Sequence, residues 1–148
     1  MHDFGRCEKE VRRRLIVQKE KGKKFTVRNP DQARVRVIQI DGCVLDSPSD
    51  GPRCDWLFIP VEGDAVEIYV ELKGSDVGRG IKQLESTVQN PEVTEGVRTV
   101  PKSCYVVSGS NPLLSTNLQK AKKRFRRDYL ATLIVKNRQA EHDLIPPP

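Results

Sequence analysis

The sequence predicts a mixed α/β fold, an α+β arrangement around a mixed sheet, on three observations. Residues 54–74, CDWLFIPVEGDAVEIYVELKG, read as two strands joined by a turn around Glu62, Gly63 and Asp64. Two stretches, 75–90 and 113–130, repeat apolar residues at helical spacing. Short β-rich runs follow each of them. A length of 148 residues fits one domain of the commonest size. Its core spans about residues 3–137, with 138–148 as a tail.

From Asp3 to Glu20, Phe4, Cys7, Val11 and Leu15 fall near helical spacing with Asp3 as N-cap, which predicts a first amphipathic helix. A short strand follows at Phe25–Arg28, and ARVRVIQIDG alternates as a second, ending at Asp41-Gly42. DSPSDGPR is a loop and the hairpin comes next. The second helix starts at Ser75 or Asp76, carries Ile81, Leu84 and Val88 on one face, and stops at Asn90-Pro91. KSCYVVSGS returns to the sheet. A third helix sets Leu114, Leu118, Ala121 and Phe125 on one face, and ATLIVKN is the last strand, before a loose IPPP end.

The hairpin carries the chemistry. Val66, Ile68, Val70 and Leu72 form its apolar face, while Glu67, Tyr69, Glu71 and Lys73 share the other. A turn centred on Gly63 sets Trp56 across from Val70, Phe58 across from Ile68, and Asp55 across from Glu71. Two opposed carboxylates repel, and a divalent cation removes the conflict, since Mg²⁺ takes oxygen ligands. Lys73, roughly 7 Å from Glu71 on the same face, is placed to orient or deprotonate a water and to stabilise charge on phosphorus. The competing reading is an ordinary charged hairpin end in which Lys73 neutralises both acids. Composition alone predicts about 1.6 acid-x-Lys triplets in this chain, so the single ELK means little without its surroundings.

A net charge of +6 with 31% charged residues points to a soluble protein attracted to polyanions. KAKKRFRR concentrates Lys120, Lys122, Lys123, Arg124, Arg126 and Arg127 on the third helix, either a solvated face or a grip on a phosphate backbone. Arg12, Arg13 and Arg14 add a second basic patch. Few aromatics are left for base stacking, which favours duplex or branched DNA. Cys7, Cys43, Cys54 and Cys104 form no C-x-x-C pair, and His2 and His142 sit far apart, so the four cysteines read as reduced packing residues rather than a zinc site. No apolar run reaches the roughly 20 residues of a membrane span and no signal-peptide core is present, which places the protein in the cytoplasm with no membrane partner.

Asp55 in RCDWLF, the Glu71–Lys73 ELK ending the next strand, and the helix that follows together resemble the PD-(D/E)XK nuclease superfamily, over about residues 3–109. The resemblance implies a restriction-endonuclease-like or Holliday-junction-resolvase-like core of helix, three antiparallel strands, helix and strand, here with an added basic helix and C-terminal strand. It implies a Mg²⁺- or Mn²⁺-dependent endo- or exodeoxyribonuclease. Asp55 and Glu71 would be metal ligands, with Leu72 counted beside them, and Lys73 the catalytic lysine. Glu8, followed by Val11 and Leu15, would join from the first helix in preference to Glu10. Gln83 would line the site, with Thr87 where one branch of the family has Tyr. Asp46 and Asp50, in the loop, rank below Asp55. The function implied is DNA cleavage in repair, recombination or defence, by a homodimer or within a larger complex. The alternative is an inactive nuclease-fold module that binds nucleic acid or protein.

Overall fold

The computed structural model describes residues 3–63, 66–72, 76–94, 99–109 and 115–144. A six-stranded mixed sheet runs through the molecule in the order β1-β4-β5-β6-β7-β8, with β1 Glu8–Val11, β4 Val35–Gln39, β5 Trp56–Pro60, β6 Glu67–Glu71, β7 Lys102–Ser108 and β8 Ala131–Asn137. β1, β4, β5 and β6 are antiparallel neighbours, and β6, β7 and β8 run parallel. The parallel pairs need crossovers. α1 (Val77–Val88) and α2 (Ser115–Tyr129) supply them.

The helices pack on one face of this sheet. Ile81, Leu84 and Val88 of α1 and Ala121 and Phe125 of α2 meet Ile38, Leu57, Tyr69 and Val106. A second sheet covers the other face, formed by β2 (Leu15–Glu20), β3 (Lys23–Arg28) and β9 (Gln139–Asp143), and it brings Ile16, Phe25 and Val27 against Phe58, Ile68 and Val70. Both faces of β6 are therefore covered, and all five of its residues are buried.

The mixed α+β class, both predicted later helices and the hairpin agree with this architecture; Leu114 and the turn residues Asp64 and Ala65 lie outside the described residues. Three expectations fail. The first helix is absent: a single 3-10 turn, Gly5–Cys7, leads into β1 and β2. The run LIVQKE fits a strand as well as a helix, and Lys21 (φ 48°) and Gly22 (φ 78°) close a two-residue hairpin turn of the kind that demands positive φ twice. Ile16 is then buried and Leu15 exposed, which inverts the helical stripe. The tail is not loose up to Asp143, because residues 139–143 pair with β3 as β9. Cys7 and Cys43 form a disulfide, with Cα atoms 5.6 Å apart, so only Cys54 and Cys104 are the free, buried thiols expected of all four. No helix among the described residues is long and apolar enough to cross a membrane.

Candidate active site

β5 and β6 pair as their apolar pattern requires, with Trp56 opposite Val70, Leu57 opposite Tyr69 and Phe58 opposite Ile68. One residue further the ladder departs from the predicted register. The Asp55 amide donates to Val70 O at 3.1 Å, so Asp55 and Trp56 both oppose Val70. Two residues against one define a β-bulge, which re-aims a side chain. The Asp55 carboxylate accordingly reaches past Glu71 and accepts the Leu72 N–H at 2.6 Å through Oδ2. Direct opposition of Asp55 and Glu71 is thereby replaced: Asp55 is bonded to the residue after Glu71. The two acids are 3% and 1% exposed.

α1 forms the roof. Asp76 caps it by accepting the Arg79 N–H at 3.2 Å. Gly80, Gln83 and Thr87 follow on one face at i, i+3 and i+7. A methyl group on Gly80 would stand 3.5 Å from Glu71 Cγ and 3.0 Å from Val106 Cγ1, so the helix rests directly on the Glu71 side chain. Thr87 accepts the Cys54 N–H at 2.8 Å and donates to Gln83 O at 2.7 Å, which ties the helix to the start of β5 beside Asp55. Gln83 sits between these two anchors. Its Oε1 is buried and accepts no hydrogen bond from the described residues. Thr87, read from sequence only as a departure from a family pattern, is thus a positioning residue; a Thr on the buried stripe of a helix was the signal.

Burial pushes the Cys54 thiol well up, and the Glu71 charge adds to the effect, so Cys54 stays protonated and serves as packing. The candidate ligands on these elements, the Asp55 and Glu71 carboxylates and the Gln83 amide oxygen, are all oxygen, the ligand type a hard cation takes. Among the described residues no group of three or more His, Cys, Asp or Glu side chains converges to hold a metal. Lys73 lies outside the described residues. Leu72 buries its side chain in the opposite core layer.

Glu8 does not join this group. It lies on edge strand β1, separated from β6 by β4 and β5, and forms a bidentate pair with Arg36 at 2.6 and 2.7 Å. The Arg36 hydrogen bond holds its carboxyl below the ordinary range. Asp50 closes a capping box with Ser47, and Asp46 is exposed on the loop.

The basic helix divides in two. Arg124, grouped by sequence with the phosphate contacts, turns inward and chelates Glu85 of α1 at 2.7 and 3.1 Å, while Tyr129 donates to the same carboxylate at 2.6 Å. Burial raises the Glu85 carboxyl, but these hydrogen bonds outweigh it and the net shift is downward. Arg127 is bidentate to neighbouring Asp128. Lys120, Lys123 and Arg126 are exposed. Lys122 and Arg126, one turn apart, line a groove of about 280 Å³ with Lys136 beside edge strand β8. Arg12, Arg13 and Arg14 lie exposed between β1 and β2 rather than on a helix.

Comparison with family models, curated proteins and solved structures yields no match for this chain.

Proposed function

We propose that the chain is a metal-dependent nuclease of the PD-(D/E)XK kind, cutting DNA phosphodiester bonds. One observation carries the reading: two buried carboxylates sit at the same end of the β5–β6 pair, Asp55 accepting the Leu72 N–H and the preceding Glu71 lying under Gly80 of α1. The succession of antiparallel β4, β5 and β6, then α1, then parallel β7 supports a restriction-endonuclease-like core. A strand, β1, stands where the first helix was expected.

Asp55, Glu71 and Leu72, the last through its backbone, are the residues that would hold Mg²⁺ or Mn²⁺. When bound, such a cation supplies charge neutralisation at the phosphate and a more acidic water. The protein's own part is positional. Leu72 N–H fixes the Asp55 carboxylate, Gly80 and Thr87 fix the helix over Glu71, and Gln83 Oε1 is left to accept a proton donor such as the attacking water. Lys73, next in the chain, stabilises the charge that builds on phosphorus. Lys120, Lys122, Lys123 and Arg126 grip the duplex backbone without reading sequence. A role in repair, recombination or defence, and pairing of two copies for a double cut, follow from the same reading. A disulfide such as Cys7–Cys43 persists mainly in oxidising surroundings, which argues against the expected cytoplasmic location.

The alternative, a nuclease-fold binding module, is favoured by the near-complete burial of both acids. Labelled linear, supercoiled, branched and RNA substrates, incubated with Mg²⁺ or EDTA, separate the two. Cleavage in Mg²⁺ that is lost in Glu71→Gln supports the nuclease. Tight binding with no cleavage in Mg²⁺ or Mn²⁺ supports the module.

A further inference from the structure

A cleft of about 440 Å³ opens between the loop after β4 and the first half of α1, lined by Asp41, Gly51, Pro52, Arg53, Arg79, Lys82 and Gln83. Three cations line it against one carboxylate, Asp41, which stands 3.4 Å from Arg53. Arg53 is a fixed wall, donating to Leu45 O at 2.9 Å and Ser47 O at 2.8 Å. Arg79 and Lys82 differ from it. Both are exposed, both project from the first two turns of α1 at i and i+3, and neither forms an ion pair with a described residue. Two unneutralised cations near the positive end of a helix repel each other, and an anion between them removes that cost. Gln83 forms one wall of the cleft and also stands between the helix residues that cover Glu71 and Cys54.

We propose that this cleft is a binding site for the phosphoryl group of a single nucleotide, held by Arg79 and Lys82. Its volume is that of a small-ligand pocket and is too small for a duplex, so the substrate enters as a strand end or an unpaired nucleotide. The assignment to a cleaved strand rests on the nuclease reading; the phosphoryl site itself does not.

The test is a titration in EDTA, with the full chain ¹⁵N-labelled, using deoxyadenosine 5′-monophosphate, inorganic phosphate and uncharged deoxyadenosine as three separate probes. The first two are expected to shift amide signals of Gly51, Arg53 and residues 79–83 and to compete with each other, while deoxyadenosine leaves them unmoved. Arg79→Gln/Lys82→Gln is expected to weaken binding about tenfold or more, and Lys122→Gln/Arg126→Gln to leave it unchanged. Both double variants alter exposed residues, so circular dichroism is expected to match the parent chain. Shifts confined to the α2 groove, equal binding of deoxyadenosine, no shifts at millimolar probe, or unchanged affinity in Arg79→Gln/Lys82→Gln would each overturn the proposal. Metal-free phosphate binding that persists while no substrate is cut would overturn only the nuclease reading.

Discussion

Glu67 and Glu71 stand at opposite ends of β6, on one face and both buried, yet their surroundings differ in kind. Glu67 meets a buried cation: Lys102 Nζ lies 3.9 Å away while also donating to Val100 O at 2.9 Å, and Tyr69 OH donates to the same carboxylate at 3.1 Å. Burial lowers the Lys102 ammonium, and the Glu67 charge opposes that fall. This is a closed structural pair. Glu71 lies under Gly80, and the next residue donates its N–H to the Asp55 carboxylate. One strand thus presents two buried acids. The difference teaches that burial by itself does not tell a structural carboxylate from a chemical one; on the nuclease reading proposed above, Glu71 is the candidate for the chemistry.

The comparison breaks most sharply at Glu71. Glu71→Gln and Lys73→Ala are each expected to lower Mg²⁺-dependent cleavage by at least about 10²-fold while leaving most DNA binding intact, read by single-turnover kinetics against filter binding. Equal loss of binding would make both residues structural. At the other end, Lys102→Met strands Glu67 in the interior and is expected to cost about 3 kcal/mol in urea unfolding, with cleavage per folded molecule unchanged.

Gly80→Ala probes the roof between the two ends. The added methyl meets Val106 Cγ1 at 3.0 Å and Glu71 Cγ at 3.5 Å, so cleavage is expected to fall severalfold while stability changes by no more than about 1 kcal/mol. A rate unchanged from the parent would mean that Glu71 tolerates displacement and does no positioned chemistry. The smallest effect belongs to Glu8. Its folded carboxyl is depressed, first by the Arg36 hydrogen bond, so its contribution is present above the ordinary value of 4.5 and is lost as pH falls through the lower folded value. Glu8→Gln is expected to cost about 1 kcal/mol at pH 7, a difference that shrinks progressively below pH 4.5, with cleavage unaffected.

The sequence by itself determined the elements whose apolar period admits one solution. α1 and α2 each bury a single stripe, and the Asp76 cap that the sequence offered is used. The strand pairing that sets Trp56 on Val70 was legible because a slip by one residue would turn Phe58, Ile68 and Val70 out of the core. Gln83 was legible as a residue bordering the Ile81, Leu84 and Val88 stripe, and its Oε1 is buried. What only the tertiary structure decided depends on partners distant in the chain. Residues 8–20 satisfy helix and strand spacing alike, and they become strands because β4 offers an edge to β1 and because the bare second face of the sheet is covered by β2, β3 and β9, the last arriving from beyond residue 138. Cys7 and Cys43 are 36 residues apart with nothing local to pair them. Arg124 turns to Glu85 across 39 residues, which no charge count on one helix reveals. The bulge at Asp55 has no glycine to announce it. Its cause is the Leu72 N–H, which lies beyond the end of the β6 ladder and takes the Asp55 carboxylate as its acceptor because a buried amide must be satisfied.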